Sequence, residues 1–283
     1  MSNRLFLILT TIIAFGLLDI TFKLSSSKIV AYVLIPSLFV TVVLLSLPFA
    51  LREKGPKPIT KRSIFGYPLI TGVCFSIGAT AYNLTMERVP LSILSPAAAS
   101  YVIIPIVLSI IFLRERPTRL QSLGIPSVIG GVIVLSNPSI GVPSGTSLDL
   151  ISYLLMITCI LFGGFMVYFS RMGVHIFGTC RFLTLSTFFA LISSVLVLFS
   201  QSSVSLPTEH LIYVIVGGIL IVTGRLTLFK AMKEIPMTIL MPLGSLFPII
   251  PMAFGIIFLG ESLNLIQGIG AFFAIIGIMM LNR

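Results

Sequence analysis

Apolar residues run along this chain in ten long stretches divided by short polar connections, at approximately 4–25, 29–51, 64–88, 91–113, 119–136, 150–171, 175–199, 210–232, 237–259 and 263–281. Each is about 18 to 25 residues long, enough for a helix to cross ~30 Å of hydrocarbon. The period-two alternation of a membrane barrel strand is missing, and no stretch is left over for a water-soluble domain. The pattern predicts an all-α membrane protein with ten transmembrane helices.

The pattern also repeats. "VPLSILSP" at Val89–Pro96 returns as "IPMTILMP" at Ile235–Pro242, an offset of 146 residues. Without gaps, residues 72–137 lie over 218–283, pairing Gly72 with Gly218, Gly78 with Gly224, Pro90 with Pro236, Pro96 with Pro242 and Pro105 with Pro251. Glu115 pairs with Glu261, Gln121 with Gln267, Gly124 with Gly270 and Gly131 with Gly277. Shared hydrophobicity does not align Pro, Gly, Glu and Gln in this way. Upstream the likeness fades to "AFG" at 14–16 and "LFG" at 161–163. The chain therefore divides into a five-helix unit at 1–137, a connecting loop at 138–149 and a second five-helix unit at 150–283. Five is odd, so the second unit must enter the membrane from the opposite side. Such inverted repeats recur in secondary transporters, with substrate held where the halves meet.

The repeated residues have physical uses. Pro90 and Pro236 suit helix starts, because proline has no N–H to leave unpaired. Pro105 and Pro251 fall mid-helix, where each removes a backbone hydrogen bond and should kink its helix. Freed carbonyls need protein or a wet cavity around them, so the fourth and ninth helices should be central. Thr118 with Gln121 and Asn264 with Gln267 have capping-box spacing, making Gln121 and Gln267 structural caps. Glu115 and Glu261 stand just before those helix starts, where the positive helix end favours a carboxylate. Gly124, Ser127 and Gly131, like Gly270, Ala274 and Gly277, put small residues on one face and predict close pairing of the fifth and tenth helices, or a dimer contact.

Composition agrees with the spans. Hydrophobic residues are 57%, charged residues 9%, and mean hydropathy is +1.15, against roughly 25% charged residues in a soluble protein. The net charge of +10 is distributed by side rather than clustered. With a cytoplasmic N-terminus, thirteen basic residues fall on the cytoplasmic side and three, Lys23, Lys28 and Arg88, on the other. That is the positive-inside asymmetry; it excludes a nucleic-acid partner and predicts cytoplasmic termini in a cell membrane. Cys74, Cys159 and Cys180 fall inside apolar spans, offer no disulfide framework and read as packing residues. His175 and His210 lie near opposite faces, so no metal cluster or shared catalytic site is expected, and no phosphate-binding loop is present. Neither cofactor nor catalytic residue is expected. The expected partners are a small-molecule substrate and the bilayer, with the protein a monomer or homodimer.

Charges inside spans cost roughly 2.5 to 3.5 kcal/mol at the bilayer centre and need a reason. Asp19 and Lys23, four apart on the first helix, can pair with each other, or Asp19 can serve a cavity. Arg181, about six residues into the seventh span, reads as an anchor that snorkels. Gly72, Ser76, Ala79 and Asn83 form one face of the third helix, and the offset carries that face to Arg225 on the eighth. Arg225, Ser76, Asn83, Tyr82, Tyr101, Ser245 and Asp19 are the candidate substrate-binding residues.

The run "GVCFSIGATAYNLTMERVPLSILSPAAASYVIIPIVLSIIFLRERPTRLQSLGIPSVIGGVIVL" and its second copy, ending "PIIPMAFGIIFLGESLNLIQGIGAFFAIIGIMML", resemble the repeat of EamA-type members of the drug/metabolite transporter superfamily. The resemblance spans both halves and is carried by Pro105/Pro251, Glu115/Glu261, Gln121/Gln267 and Gly131/Gly277. Phe15-Gly16 stands where the family has Trp-Gly, and the chain has no tryptophan. The resemblance implies a central cavity lined by the first, third, fourth, sixth, eighth and ninth helices and worked by alternating access. It implies a secondary transporter of a small polar metabolite, an amino acid or related compound, acting in export. The alternative is an exchanger of anionic phosphorylated substrates such as sugar phosphates or nucleotide sugars, which Arg225 encourages. A membrane enzyme or lipid-binding scaffold is the alternative outside transport.

Overall fold

A computed structural model describes residues 2–26, 31–53, 65–114, 118–135, 149–198, 211–244, 246–261 and 265–281. Among these the regular structure is entirely helical. The first unit holds α1 (Ser2–Ser26), α2 (Ala31–Arg52), α3 (Tyr67–Met86), α4 (Leu91–Ala98), a 3-10 turn (Ala99–Val102), α5 (Ile103–Phe112) and α6 (Arg119–Leu135). The second holds α7 (Leu150–Phe177), α8 (Thr179–Leu198), α9 (Leu211–Glu234), α10 (Met237–Gly244), α11 (Ile249–Phe258) and α12 (Leu265–Leu281). Among the described residues seven helical stretches are long and apolar enough to cross a membrane: 4–26, 31–52, 67–86, 91–112, 150–177, 179–196 and 211–234. The last two apolar stretches of the second unit and the fifth of the first appear as shorter helices, with α6 and α12 at 17 residues each.

The packing maps onto itself when the halves are exchanged. α1 lies along α9 as α7 lies along α3, and α3 packs on α8 as α9 packs on α2. α4 meets α11 as α10 meets α5, while α2 with α8 and α6 with α12 are pairs between equivalent helices. The repeated glycines follow from this. A Cβ on Gly72 would collide with the Ser186 carbonyl of α8, and one on Gly218 with the Thr41 side chain of α2. The α6–α12 pair is the one the small-residue stripes predict, and the Ser127 hydroxyl donates across it to the Phe273 carbonyl at 3.1 Å.

The fourth stretch of each half is broken rather than gently kinked. α4 gives way to the 3-10 turn at Ala99–Val102 before α5 resumes, with Pro105 at its third position. In the second half α10 ends at Gly244, a turn covers 246–248, and Pro251 is the third residue of α11. Proline cannot donate to the carbonyl four residues earlier, so the turn before it tightens. Every residue of α4 is buried, as expected for a central helix.

Several helix ends are closed by side chains, some local and some from distant segments. The Glu53 carboxylate accepts the N–H groups of Thr179, Cys180 and Arg181 at 2.9, 2.7 and 2.9 Å, capping α8. Gly178, between α7 and α8, has φ +91 and ψ 176, and a Cβ there would sit 2.8 Å from that carboxylate. Arg181 thus stands in the first turn of α8, its Nε 3.3 Å from the Ala50 carbonyl, and not six residues inside a span. The Asp149 carboxylate caps α7 by accepting the Ser152 N–H and hydroxyl, which hold it below the usual carboxylate range, and it pairs with Arg88 at 3.0 Å. Arg4 pairs with Glu234 at 3.4 Å.

Candidate functional site

Where the halves meet, α1, α2, α3, the break after α4, α7 and α9 enclose a cavity of about 170 Å³, which Phe247 also lines. α2 contributes Ile35, Leu38 and Phe39, a helix the family resemblance leaves out of the lining. The walls are mostly aliphatic and aromatic, and an apolar cavity of about 150 Å³ is large enough for benzene.

The lining obeys the repeat. Phe75 and Ala79 of α3 stand 146 residues before Ile221 and Arg225 of α9, and Tyr101 stands 146 before Phe247; all six line the cavity. On α1 and α7 the same relation holds with an offset of 148. Phe15, Leu18, Asp19 and Phe22 correspond there to Gly163, Met166, Val167 and Ser170. The likeness fades upstream in the sequence because the first half has two additional residues between its first and third helices; Gly16 therefore corresponds to Gly164, and the match of "AFG" at 14–16 with "LFG" at 161–163 is one residue out of register.

Against this shared lining two charged residues stand out. Arg225 matches Ala79 and Asp19 matches Val167, so neither charge has a counterpart in the other half. Arg225 is only 3% exposed. Its guanidinium carbon lies 4.3 Å from the centre of the Phe75 ring and 5.0 Å from that of Phe229. Such contacts stabilise a cation by roughly 0.5 to 2 kcal/mol, but they leave its donors unused: both terminal nitrogens are buried without a hydrogen-bond partner. Burying a polar group unpaired is costly, so this arginine presents donors to whatever enters.

Asp19 is 6% exposed, and its Oδ2 accepts the Tyr82 hydroxyl at 2.8 Å and the Ser95 hydroxyl at 2.7 Å. α3 and α4 thereby both hold one carboxyl of α1. The alternative of an Asp19–Lys23 pair is not what forms. Lys23 Nζ donates to the Met86 carbonyl at 3.0 Å, closing the C-terminal end of α3. Arg171 does the same for α9, reaching the Met232 and Ile235 carbonyls at 2.5 and 2.9 Å. Met232 is Met86 shifted by 146, and Arg171 is Lys23 shifted by 148. Cations are favoured at helix C-terminal ends.

The cavity thus brings together Asp19, Tyr82, Tyr101 and Arg225 of the sequence candidates. Ser76 and Asn83 are buried but do not line it. They share their stripe with Gly72, which abuts α8, and the Asn83 amide donates to the Ala79 carbonyl at 3.1 Å. Ser245 lies outside the described residues, as do Glu115, Asn264 and the side chains of Gln121 and Gln267. Cys74 and Cys159, read as packing residues, are also in the lining, as is Phe15 of the Phe-Gly pair. Among the described residues no cluster of His, Cys, Asp and Glu could hold a metal ion.

Glu261 also acts at a distance. Its carboxylate accepts the N–H groups of Leu91 and Ser92 at 3.0 and 2.8 Å, so it caps α4 of the other half. Gly255 makes room for it, since a Cβ there would lie 2.5 Å from Oε2.

The model of the EamA-like transporter family matches the chain twice, over residues 3–137 and 150–283. An uncharacterized protein of Methanocaldococcus jannaschii is 42% identical over 72 residues, which cover 25% of this chain and 53% of that one. The match thus takes in about half the length of that curated relative. A solved crystal structure superposes with a TM-score of 0.70 at 15% identity, covering 99% of this chain and 97% of its own, a likeness of fold alone.

Proposed function

The chain belongs to the EamA-like transporter family, and we propose that it is a secondary transporter exporting a small metabolite of the amino-acid type across the cytoplasmic membrane by alternating access. In this proposal ten spans form two inverted five-helix halves, units 1–137 and 150–283. The thirteen-to-three division of basic residues supports cytoplasmic termini.

The observation that carries the reading is Arg225. The fold does not require a guanidinium there, because Ala79 fills the matching position of α3. Its planar fork suits a carboxylate, which would satisfy the two unpartnered nitrogens bidentately. The apolar walls would take the remainder of the molecule. An exchanger of phosphorylated substrates fits less well, because one arginine faces the dianion in a cavity that also holds Asp19, and about 170 Å³ is too little for a nucleotide sugar.

Uptake and efflux of the twenty labelled L-amino acids in proteoliposomes test this. At least one should move in the native protein and fail to move in Arg225→Ala. If none moves, while a sugar phosphate exchanges, the second substrate class replaces the first.

A further inference from the structure

We infer that Asp19 is the proton-binding site of the cavity, and that a proton and the ammonium group of the substrate compete for its carboxylate. This rests on the amino-acid reading of the cavity and adds the coupling ion to it.

The inference starts from what surrounds the carboxyl. Oδ2 holds two hydroxyl donors, from Tyr82 on α3 and Ser95 on α4. No cation pairs with Asp19 among the described residues, where the ion pairs are Arg4–Glu234 and Arg88–Asp149. The titratable and charged groups that line the cavity with it are Cys74 and Tyr82 from α3, Tyr101 from the 3-10 turn, Cys159 from α7 and Arg225 from α9. On its own helix Lys23 comes one turn later and is committed to the Met86 carbonyl. Two opposed effects meet here, since hydroxyl donors stabilise the carboxylate and exclusion of water stabilises the acid. Each hydroxyl can donate to the carboxylate or accept from the protonated carboxyl, so the same two partners serve both forms.

Val167 occupies the matching place on α7, so packing does not call for an acid. Binding chemistry does. With a substrate carboxylate on Arg225, the α-ammonium is the group left to satisfy, and Asp19 is the acid in this lining. The step balances as follows: the protonated carboxyl gives its proton to water on one side, the carboxylate receives an ammonium that keeps all its protons, and on the far side a proton replaces the departing ammonium. One proton enters for each zwitterion that leaves. The loaded site, Arg225 with Asp19 ionised and a zwitterion, is neutral, whereas the proton-loaded site carries one positive charge. Both the pH gradient and the membrane potential then drive export.

The test has one arm without substrate and one with it. In nanodiscs, infrared difference spectra between about pH 5 and about pH 9 should show a carboxylic-acid band that titrates, vanishes in Asp19→Asn and changes frequency in Tyr82→Phe. Tyr82→Phe leaves the acid in place and serves if Asp19→Asn fails to fold. In proteoliposomes holding a pH-sensitive dye, each amino acid that the native protein moves should bring protons the other way. Asp19→Asn should move none and bind that amino acid about tenfold or more weakly. A spectrum without a titrating band that depends on Asp19 overturns the inference, as does substrate movement in the native protein with no proton flux. If no amino acid moves while the band titrates, the proton site stands and the substrate class falls.

Discussion

Arg225 and Ala79 line one cavity from corresponding positions of α9 and α3, 146 residues apart. The smaller residue shows what the helix needs there, and the larger one shows what has been added. Arg225→Ala should therefore leave the thermal unfolding temperature in detergent unchanged or higher, because a buried guanidinium with two unsatisfied nitrogens is removed. Transport should be lost. Arg225→Lys should retain part of the activity, keeping the charge but losing the planar fork. Native rate and affinity in Arg225→Ala would show the residue to be a structural anchor.

Glu261→Ala should uncap α4 at Leu91 and Ser92. A lost N-terminal cap costs about 0.5 to 2 kcal/mol, to be read from SDS-induced unfolding. The same variant should raise hydrogen exchange at the amides of Leu91 and Ser92 but not at the start of α12. Faster exchange confined to α12 would contradict the contact.

Gly178→Ala combines two penalties. Its φ of +91 with ψ of 176 is a region almost reserved for glycine, worth about 1 to 3 kcal/mol. The new Cβ would also press on the Glu53 carboxylate that caps α8. Unfolding should shift by more than in Glu53→Gln, which keeps an acceptor. Equal stability of Gly178→Ala and the native protein would show that the α7–α8 turn is free to rearrange.

Sidedness can be read chemically. In a background lacking Cys74, Cys159 and Cys180, an impermeant thiol reagent added to intact cells should label Gly145→Cys and spare Lys57→Cys. Both positions lie outside the described residues. The contacts nevertheless group Arg4 with Glu234 and Glu53 with Thr179 at helix ends assigned to one face, and Arg88 with Asp149 at the other. Labelling of position 57 from outside would invert the assignment.

The later helices of each half were legible because Pro and Gly sit in fixed register, and residues with special backbone demands resist replacement. The first helices were legible as spans but not as copies, since apolar side chains facing lipid or protein are interchangeable and two extra residues in the first half hide the correspondence of Asp19 with Val167. Polarity misplaced Ser76 and Asn83: a helix buried on several sides offers no single wet face, and Asn83 bonds its own backbone. The spans left a connection at 172–174, yet α7 continues through it to Phe177, and the chain turns at Gly178 instead. Glu261 looked like a local cap, and its partners lie about 170 residues away, beyond any short-range signal.

A frame whose two halves present the same walls would hold a guest equally well in either of two poses, turned end for end. Such degeneracy gives a molecule no means of knowing which way it points. One unmatched cation and one unmatched anion remove it, because the guest's two ends are no longer exchangeable. The cavity gains a head and a tail, and with them a direction that the duplicated scaffold by itself does not possess.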